Sequence, residues 1–336
     1  MKQTLITTAL LAGAAVPLHA QEANYPLKLT NCGLELSFDA APDSAVTIGQ
    51  SATEILYSLG LAPRVSGTSV WFNPVLPQFA EVNAGIERLA DNDPSFESVV
   101  AKRPGLVAVQ YEWHVGETGS VGTRDMFHEI GIPTYILPAD CDTKDNSTGG
   151  DGTRIGAFET ASVYKGIREL ARIFDVQAAG EALISDLQAT EEAAIARAEA
   201  LDLPGDLSAV FWFSSADLEI DPFVAGQLGA PGYMMSKLGI DNVIESAEEW
   251  PTVGWESIAR ADPDVIVIAS MDRRRFEADD VEKKLEFLST DPVASQMKAV
   301  QAGRIVQMDA HAMSATMRSV YGLQTLSEAL SEMSFE

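Results

Sequence analysis

The first half of the chain alternates short apolar runs of strand length with segments whose apolar residues recur at helical spacing. The letters LKLTNCGLELSF, which follow Tyr25, predict two short strands ahead of this alternation. Strands that alternate with helices predict a parallel sheet. The predicted strands are Ala45 to Gly49, Val65 to Ser69, Leu106 to Gln110 and Thr134 to Leu137. The predicted helices are one after Gly49, where Ser51 and Glu54 have capping-box spacing and Gly60 ends the helix, one from Ser95 to Lys102, and one near Val121 to Ile130.

The pattern changes twice after Asp140. The letters CDTKDNSTGGDG, which end at Gly152, are nearly all turn formers and predict an exposed loop. From Ala157 to about Ala200 apolar residues keep helical spacing without any strand pattern, which predicts a helical connector. Strands then resume at Ala209 to Phe213, Val265 to Ala269 and Ile305 to Met308, before a final helix from Ser314 to Met333.

These elements predict an α/β fold with two Rossmann-like lobes, each built on a parallel central sheet, joined by the helical connector. The length of 336 residues is long for a single core and agrees with two units of ordinary size. The predicted division is a signal peptide at 1–20, an N-terminal α/β lobe at 21–152, the connector at 153–203 and a C-terminal α/β lobe at 204–336.

The N-terminus has the pattern of a cleavable secretory signal. Lys2 precedes an apolar run from Leu5 to Pro17, and the small residue Ala20 precedes Gln21. That run is shorter than the roughly 20 residues that a membrane-spanning helix needs. No Cys stands where a lipid anchor would require one. We therefore expect a soluble periplasmic protein after cleavage near Ala20.

Export changes the interpretation of the two cysteines, Cys32 and Cys141. In an oxidising compartment a pair of cysteines tends to form a disulfide, and we expect these two to be joined. Two separate buried thiols are the alternative.

The formal net charge of −26 argues against two classes of partner. A field of this sign repels nucleic acid phosphates and anionic membrane surfaces, so we expect no nucleic acid partner. A surface made acidic for solubility is the simplest explanation of the charge.

One pattern occurs twice in the chain. Phe96-Glu97-Ser98-Val99 precedes Pro104 and an apolar strand, and Trp255-Glu256-Ser257-Ile258 precedes Pro263 and another. From Glu to Pro there are seven residues in both copies. Each Glu begins a short helix, where the helix dipole favours an acid, so both are explained equally well as surface residues. The repeat indicates that the two lobes are related halves.

The segments YPLKLTNCG, SATEILYSLGLAPRVSGTS and WESIARADPDVIVIA resemble the periplasmic binding proteins for ferric siderophores, haem and cobalamin. These are the ABC-importer receptors whose lobes are joined by a helical backbone, and the resemblance covers nearly the whole chain after the signal. It implies a monomeric receptor that delivers a metal chelate to a permease dimer in the inner membrane. It also implies that Glu97 and Glu256 dock onto permease arginines, and that the rigid connector allows only small hinge motion.

Aromatic residues cluster after the predicted strands, at the sheet edge where ligands bind in open α/β folds. Flat aromatic faces suit catecholate or porphyrin-like rings and lose little rotamer entropy on binding. Ordinary core packing explains about half of such residues equally well. The candidates after strands are Trp71, Phe72, Tyr111, Trp113 and Trp212, with Phe213 beside them. Core packing explains Phe213 and Phe72 most readily. Trp250, in the loop before the second copy of the repeat, is a further candidate for the wall of the site.

Three arginines, Arg273, Arg274 and Arg275, follow the predicted strand that ends at Ala269. A guanidinium pairs with carboxylates in a fork geometry, so Arg273 or Arg274 is a candidate clamp for an anionic ligand. The alternative is a solvated loop in which the arginines form ion pairs with neighbouring acidic side chains. His114 and His311 also follow strands and are candidate axial ligands to a haem or corrinoid metal, whereas His128 lies in a predicted helix. We expect no metal site built by the protein alone and no permanently bound cofactor.

An enzyme is the competing class of function. The sequence contains no GxSxG, GxxxxGK[ST] or HExxH motif, and nothing brings Glu54, Asp217 and Asp221 together. We therefore expect a binding protein and not an enzyme. Its expected ligand is a ferric-siderophore-type iron chelate, and the alternative ligands are haem and cobalamin or another corrinoid. The alternative from another class of function is an enzyme that acts on such a chelate.

Overall fold

The computed structural model describes residues 25–147 and 152–335. The predicted signal peptide lies outside the described residues. Two central sheets, each flanked by helices, carry the fold, and a pair of helices lies between them in the chain. Among the described residues, no helix is both long enough and apolar enough to cross a membrane.

The N-terminal lobe begins with an antiparallel hairpin and continues as a five-stranded parallel sheet. In that sheet the spatial order is β5-β4-β3-β6-β7, so the chain reverses its direction of winding between β3 and β6. The strands are β1 Leu27–Asn31, β2 Leu34–Phe38, β3 Ala45–Ile48, β4 Val65–Ser69, β5 Arg88–Ala90, β6 Leu106–Val109 and β7 Thr134–Ile136. The helices are α1 Gln50–Ser58, α2 Ala80–Ala84, α3 Phe96–Val100 and α4 Arg124–Glu129.

The middle of this sheet is apolar on both faces. Every residue of β3 and of β6 is buried, because helices cover both sides of a parallel sheet. The strand predictions at Ala45, Val65, Leu106 and Thr134 are confirmed to within a residue at each end.

The start of α1 corrects one prediction. Ser51 is not the N-cap: the helix already begins at Gln50, and its N-cap Gly49 has φ +120. Only glycine adopts this backbone easily, and it also leaves room for a neighbour, since a Cβ here would lie 2.2 Å from the Cβ of Gln110. Gly60, at φ +76, follows the end of α1 as the sequence predicts.

The segment after β7 holds more structure than the predicted loop. Two short strands, β8 Lys144–Asp145 and β9 Thr153–Arg154, pair antiparallel. The connector consists of two helices, α5 Thr160–Ile173 and α6 Gln177–Glu199, which are separated at Asp175 where φ is +58. Glu191 of α6 is buried and accepts a hydrogen bond from Tyr164 of α5, 2.6 Å away.

The C-terminal sheet has the order β11-β10-β13-β14, with β12 beside the start of β10. The pairs of β10 with β12 and β13, and of β13 with β14, are parallel, whereas β11 is an antiparallel edge. The strands are β10 Ser208–Ser214, β11 Phe223–Val224, β12 Asp241–Asn242, β13 Val265–Ser270 and β14 Ile305–Asp309. The helices are α7 Ala230–Leu238, α8 Trp255–Ala261, α9 Val281–Thr290, α10 Lys298–Gln301 and α11 Arg318–Glu332.

The predicted disulfide is present. Cys32, in the turn between β1 and β2, is bonded to Cys141, and their Cα atoms are 5.7 Å apart. The bond attaches the N-terminal hairpin to the segment that follows β7.

Candidate functional site

The carboxyl ends of the two parallel sheets face each other across a cleft. Gln110 follows β6, and its side chain accepts a hydrogen bond from the amide of Ser51 at 2.8 Å. Its amide group also contacts Nε2 of His311, which follows β14, at 3.0 Å. The close approach of Gly49 to Gln110 marks the point where winding reverses, which is where open α/β sheets bind ligands.

A second contact across the cleft is made by a group that we call the cleft bridge: Phe72 and Asn73 from the N-terminal lobe, and Ser270, Asp272 and Arg273 from the C-terminal lobe. The carbonyl oxygen of Phe72 accepts from the amides of Asp272 and Arg273, each at 3.0 Å. The side chain of Asn73 donates to the carbonyl of Ser270 at 3.0 Å and accepts from the amide of Asp272 at 2.9 Å. Backbone groups on both sides therefore fix the separation of the lobes here.

Two cavities lie along the cleft, and Phe72, Arg273 and Arg275 line both. The inner compartment has a volume of about 300 Å³ and the outer compartment about 920 Å³. Residues of both lobes form each cavity. Together they span the size range of small-molecule sites.

The inner compartment is lined by aromatic rings. Tyr111 and Trp113 stack face to face, with ring centroids 4.2 Å apart and planes 5° from parallel. The C-terminal lobe contributes a second aromatic pair, in which the ring centroids of Phe213 in β10 and Trp250 are 4.7 Å apart. Trp113 remains 38% exposed, so a ligand has access to this wall. The other aromatic lining residues are Phe72, Phe223 and Phe276.

Charged groups of the inner compartment are partly paired with each other. Lys144 donates to Asp140 at 2.7 Å, and both are buried. Arg154 of β9 donates to Glu249 at 2.6 Å, also in a buried pair. The lining contains four cationic and two anionic side chains. Arg273 and Arg275 account for the difference, and Arg273 is partly balanced from behind by the buried Asp279, 3.8 Å from its Nε.

Arg273 and Phe72 form the wall between the compartments, because the guanidinium lies over the ring at 4.2 Å from its centroid. On the outer side, Trp71 is buried beneath Arg88, whose guanidinium is 4.9 Å from its ring centroid. Arg274 lines the outer compartment, and its guanidinium donates to the carbonyl oxygens of Met271 and Arg273 within its own loop.

The outer compartment also has acidic groups. Asp93 accepts a hydrogen bond from His114 at 3.1 Å, and this bond holds the pKa of the Asp93 carboxyl below its ordinary value. The linings of both compartments therefore contain both signs of charge, and the inner one differs in its larger number of aromatic rings.

The structure corrects the expectation for Trp212. It is fully buried in the core of the C-terminal lobe, where its ring packs edge-on against Trp255 at 4.8 Å and close to Phe287. Successive residues of a strand point to opposite faces, so Trp212 faces the core and Phe213 faces the cleft. Trp71, Phe72, Tyr111, Trp113, Trp250, Arg273 and Arg274 all line one of the compartments.

Both candidate histidines are fully buried. His311 stacks on Phe72 at 5.9 Å between ring centroids, and burial lowers the pKa of its imidazole well below the ordinary value. His114 lies beneath Tyr111 and Trp113 and points its Nε2 to Asp93. Within the described residues, no group of three His, Cys, Asp or Glu side chains is arranged to hold a metal ion.

Several cleft residues were not predicted from the sequence: Lys144, Arg154, Glu249, Phe223 and Phe276. Arg154 and Glu249 are 95 residues apart, and only the crossing of the chain between the lobes brings them together. Phe223 lies in the two-residue strand β11 and Phe276 in a loop, and neither segment is long enough to show a periodic pattern. Among these, Phe276 carried a usable signal, since it directly follows the three arginines.

A buried ionic cluster also joins the lobes beside the cleft. Arg318 at the start of α11 donates through Nε to Glu54 of α1 at 2.9 Å, and its Nη1 donates to Asp309. Arg318 also donates to the carbonyl of Pro74 at 2.9 Å. Glu54, a predicted capping residue, is fully buried and serves as the acceptor of this cluster.

The repeated glutamates lie outside the cleft. Glu97 and Glu256 occupy the first turns of α3 and α8, and both are exposed. Each helix leads from one parallel strand to the next, so both glutamates lie at the carboxyl edge of their sheets. Their equivalent positions in the two lobes follow from the repeat.

Comparison with known proteins places this architecture among solute receptors. The family described as periplasmic binding protein matches residues 46–312. A periplasmic binding protein from Veillonella parvula is similar in structure, with a TM-score of 0.73, 21% identity, and coverage of 91% of this chain and 98% of that chain. Comparison with curated protein sequences gave no match.

Two further structures show the same fold. An ABC-type Fe3+-hydroxamate transport system from Saccharomonospora viridis has a TM-score of 0.73 and 22% identity, covering 91% of this chain and 99% of that chain. A periplasmic heme-binding protein from Roseiflexus sp. RS-1 in its apo form has a TM-score of 0.66 and 19% identity, covering 86% of this chain and 98% of that chain.

Proposed function

This chain belongs to the periplasmic binding protein family, and from that premise we propose that it captures an anionic ferric chelate of the siderophore type for an ABC importer. The observation that carries this proposal is the lining of the inner compartment, which combines aromatic rings with two more cationic than anionic side chains in a protein of net charge −26. A neutral ligand gives no reason to concentrate guanidinium groups in so acidic a protein.

The wall chemistry matches such a ligand. The stacked Tyr111 and Trp113 offer a flat, rigid surface to a catecholate or similar ring. Arg273 and Arg275 offer charge-assisted hydrogen bonds to carboxylate or phenolate oxygens. Arg154 pairs with Glu249 and Lys144 pairs with Asp140, so these four side chains make the pocket polar without adding net charge.

Haem and cobalamin are the competing ligands of the same class of receptor. Haem is favoured by the names of some structural relatives, including the heme-binding protein from Roseiflexus. The burial of His114 and His311 argues against either imidazole as an axial ligand. Tyr111 lines the inner compartment, and a phenolate also ligates haem iron, so haem is the alternative that the titration below must exclude.

Binding is tested by titrating the mature protein with a ferric tris-catecholate, a neutral ferric hydroxamate, haem and cyanocobalamin, while its tryptophan fluorescence is recorded. We expect saturable, reversible quenching by the anionic ferric chelate and weaker or no quenching by the neutral one. Tighter binding of haem or cobalamin would overturn the assignment of the ligand. Steady conversion of the chelate into a product would instead identify an enzyme.

We also propose that Glu97 and Glu256 dock onto a permease dimer. Both carboxylates are exposed at equivalent places on the two lobes, so a symmetric partner would meet one from each lobe. Glu97→Arg or Glu256→Arg is expected to abolish uptake while leaving the Kd for ligand unchanged. Glu192→Arg, on the connector, is the matched control. Normal uptake by the double variant would refute the docking role.

A further inference from the structure

A buried lysine lies directly behind the C-terminal side of the cleft. Lys284 of α9 is fully buried, and its Nζ donates to the carbonyl oxygens of Phe213 at 2.5 Å and Ala269 at 2.7 Å. These carbonyls belong to the carboxyl ends of β10 and β13. Lysine is almost never fully buried without a compensating partner, so this position needs an explanation.

The compensating anion is Asp279, which is also fully buried and which raises the pKa of Lys284 electrostatically. The Asp279 carboxylate accepts from the hydroxyl of Ser214 at 2.6 Å. It also accepts from the amides of Arg275 at 2.7 Å and Phe276 at 3.0 Å. Asp279 therefore fixes the backbone of two residues that line the inner compartment.

We call residues 271–276 the arginine loop. Its three guanidinium groups are carried on a short segment, and Asp279 provides its buried side-chain anchor. The Nε of Arg273 also lies 3.8 Å from the same carboxylate. Movement of Asp279 would thus shift both Arg273 and Arg275.

We propose that Lys284 and Asp279 are positioning residues for ligand binding: they hold the arginine loop in place, and the lysine charge behind the loop favours an anionic ligand. This inference rests on the proposed function for its ligand. Neither side chain lines a compartment, so both act through the loop and through the field that they create in the cleft.

The proposal makes ligand binding depend on pH. Burial, opposed by the negative charge of Asp279 and assisted by the positive charge of Arg274, lowers the pKa of Lys284 to about 7. A bound anion stabilises the ammonium form and raises this pKa. Near pH 7 the protein therefore takes up a proton when it binds the ligand, and its affinity falls as the pH rises through the pKa of Lys284.

The other charged groups near Lys284 lie in the arginine loop, in the turn before α9 and on α9 itself. The residues of β10, β13 and the 294–296 turn that pack beside α9 carry no charged side chains. The carboxylates are Glu277, Asp279 and Asp280 in the turn before α9, and Glu282 and Glu286 on α9 itself. The cations are Arg273 and Arg274 in the arginine loop and the exposed Lys283 on α9.

The first experiment measures the Kd for a ferric tris-catecholate by isothermal titration calorimetry between pH 6 and pH 8, in buffers of different ionisation enthalpy. For the intact protein we expect net proton uptake at pH 7 and a Kd that rises with pH, by at most about tenfold per unit for one proton. Lys284→Arg keeps a positive charge at every pH tested and keeps N–H donors for the two carbonyl oxygens. At all pH values its Kd should therefore stay near the value that the intact protein has at pH 6.

Lys284→Met removes the charge and is expected to weaken binding at pH 6 by roughly tenfold, the effect of one charge at about 10 Å in a medium of effective dielectric constant near 20. Lys298→Met is the matched control, since Lys298 is exposed and far from the loop in sequence. The same pH dependence in Lys284→Arg as in the intact protein would overturn the proposal.

The second experiment needs no ligand and separates this proposal from the proposed function. Amide hydrogen exchange of residues 271–276 is measured in the intact protein, Lys284→Met and Asp279→Asn. We expect faster exchange in both variants. Asp279→Asn replaces the carboxylate that accepts from the amides of Arg275 and Phe276. Lys284→Met removes the buried cation that balances the charge of that carboxylate. Unchanged exchange would refute the positioning role. Failure of every chelate to bind, with exchange altered as expected, would refute only the ligand assignment.

Discussion

Replacing Arg318 by Met should destabilise the protein more than any change to its exposed ion pairs. Arg318 is the only cation that contacts Glu54 in the described part of the chain, and the Glu54 side chain is fully buried. The variant would leave the Glu54 carboxylate with neutral donors alone, the amide of Leu76 at 3.2 Å and the side chain of Gln50 at 3.1 Å. A buried carboxylate without its partner is strongly unfavourable.

The magnitude follows from the kind of pair that is broken. Removal of one partner from a buried pair costs about 3–5 kcal/mol, whereas an exposed pair contributes about 0–1 kcal/mol. The matched control is Arg168→Met, since Arg168 pairs with Glu181 at 2.8 Å while both side chains are about half exposed. The difference of at least 2 kcal/mol between the two variants is the quantity to measure.

The free energy of unfolding is obtained from urea denaturation followed by tryptophan fluorescence and circular dichroism, with the slope m compared between variants. The double variant Glu54→Gln and Arg318→Met should recover part of the loss, because no uncompensated charge remains buried. Equal losses for Arg318→Met and Arg168→Met would refute the assignment of a stabilising role to this cluster.

Three further predictions concern the core, the disulfide and the buried imidazole. Trp212→Ala should lower the free energy of unfolding by about 3–5 kcal/mol, whereas Trp250→Ala should weaken ligand binding with little loss of stability. Urea denaturation measures the first effect and fluorescence titration the second. If Trp212→Ala weakened binding without loss of stability, the placement of Trp212 in the core would be wrong. Replacing Cys32 and Cys141 by Ser opens a crosslink that spans 109 residues and should lower the free energy of unfolding by roughly 4–5 kcal/mol, as seen in the urea midpoint. The pKa of His311 is lowered by burial, so the unfolded chain binds a proton that the folded chain does not. Stability should therefore fall as the pH drops below about 6.5, by at most about 1.4 kcal/mol per unit from this group, and His311→Gln should reduce that slope.

The elements that were predicted correctly are those whose sequence pattern is local. The strands at Val46 and Val107 are continuous apolar runs because helices cover both faces of the sheet, and that pattern needs no knowledge of the rest of the fold. In contrast, β5 has only three residues, all partly or fully exposed, and gives no such signal.

The predictions that were wrong concern positions whose structure is decided by tertiary contacts and not by the local sequence pattern. Ser51 has the spacing of an N-cap, but Gly49 turns the chain into the helix two residues earlier and leaves Ser51 in the first turn. The sequence favours Trp212 for the cleft and Phe213 for the core, whereas the structure has Trp212 in the core and Phe213 in the cleft lining, because neighbours on a strand face opposite sides. The Arg154–Glu249 pair depends on a crossing between lobes that no local pattern records.

The most direct test of the central claim is calorimetric titration of the mature protein with a ferric tris-catecholate, in parallel with the Arg273→Gln and Arg275→Gln double variant. The account predicts saturable binding by the intact protein and binding weakened by at least tenfold in the double variant, with Arg88→Gln much less affected. No binding by the intact protein, or equal affinity in the double variant, would contradict the proposal that this cleft captures an anionic chelate.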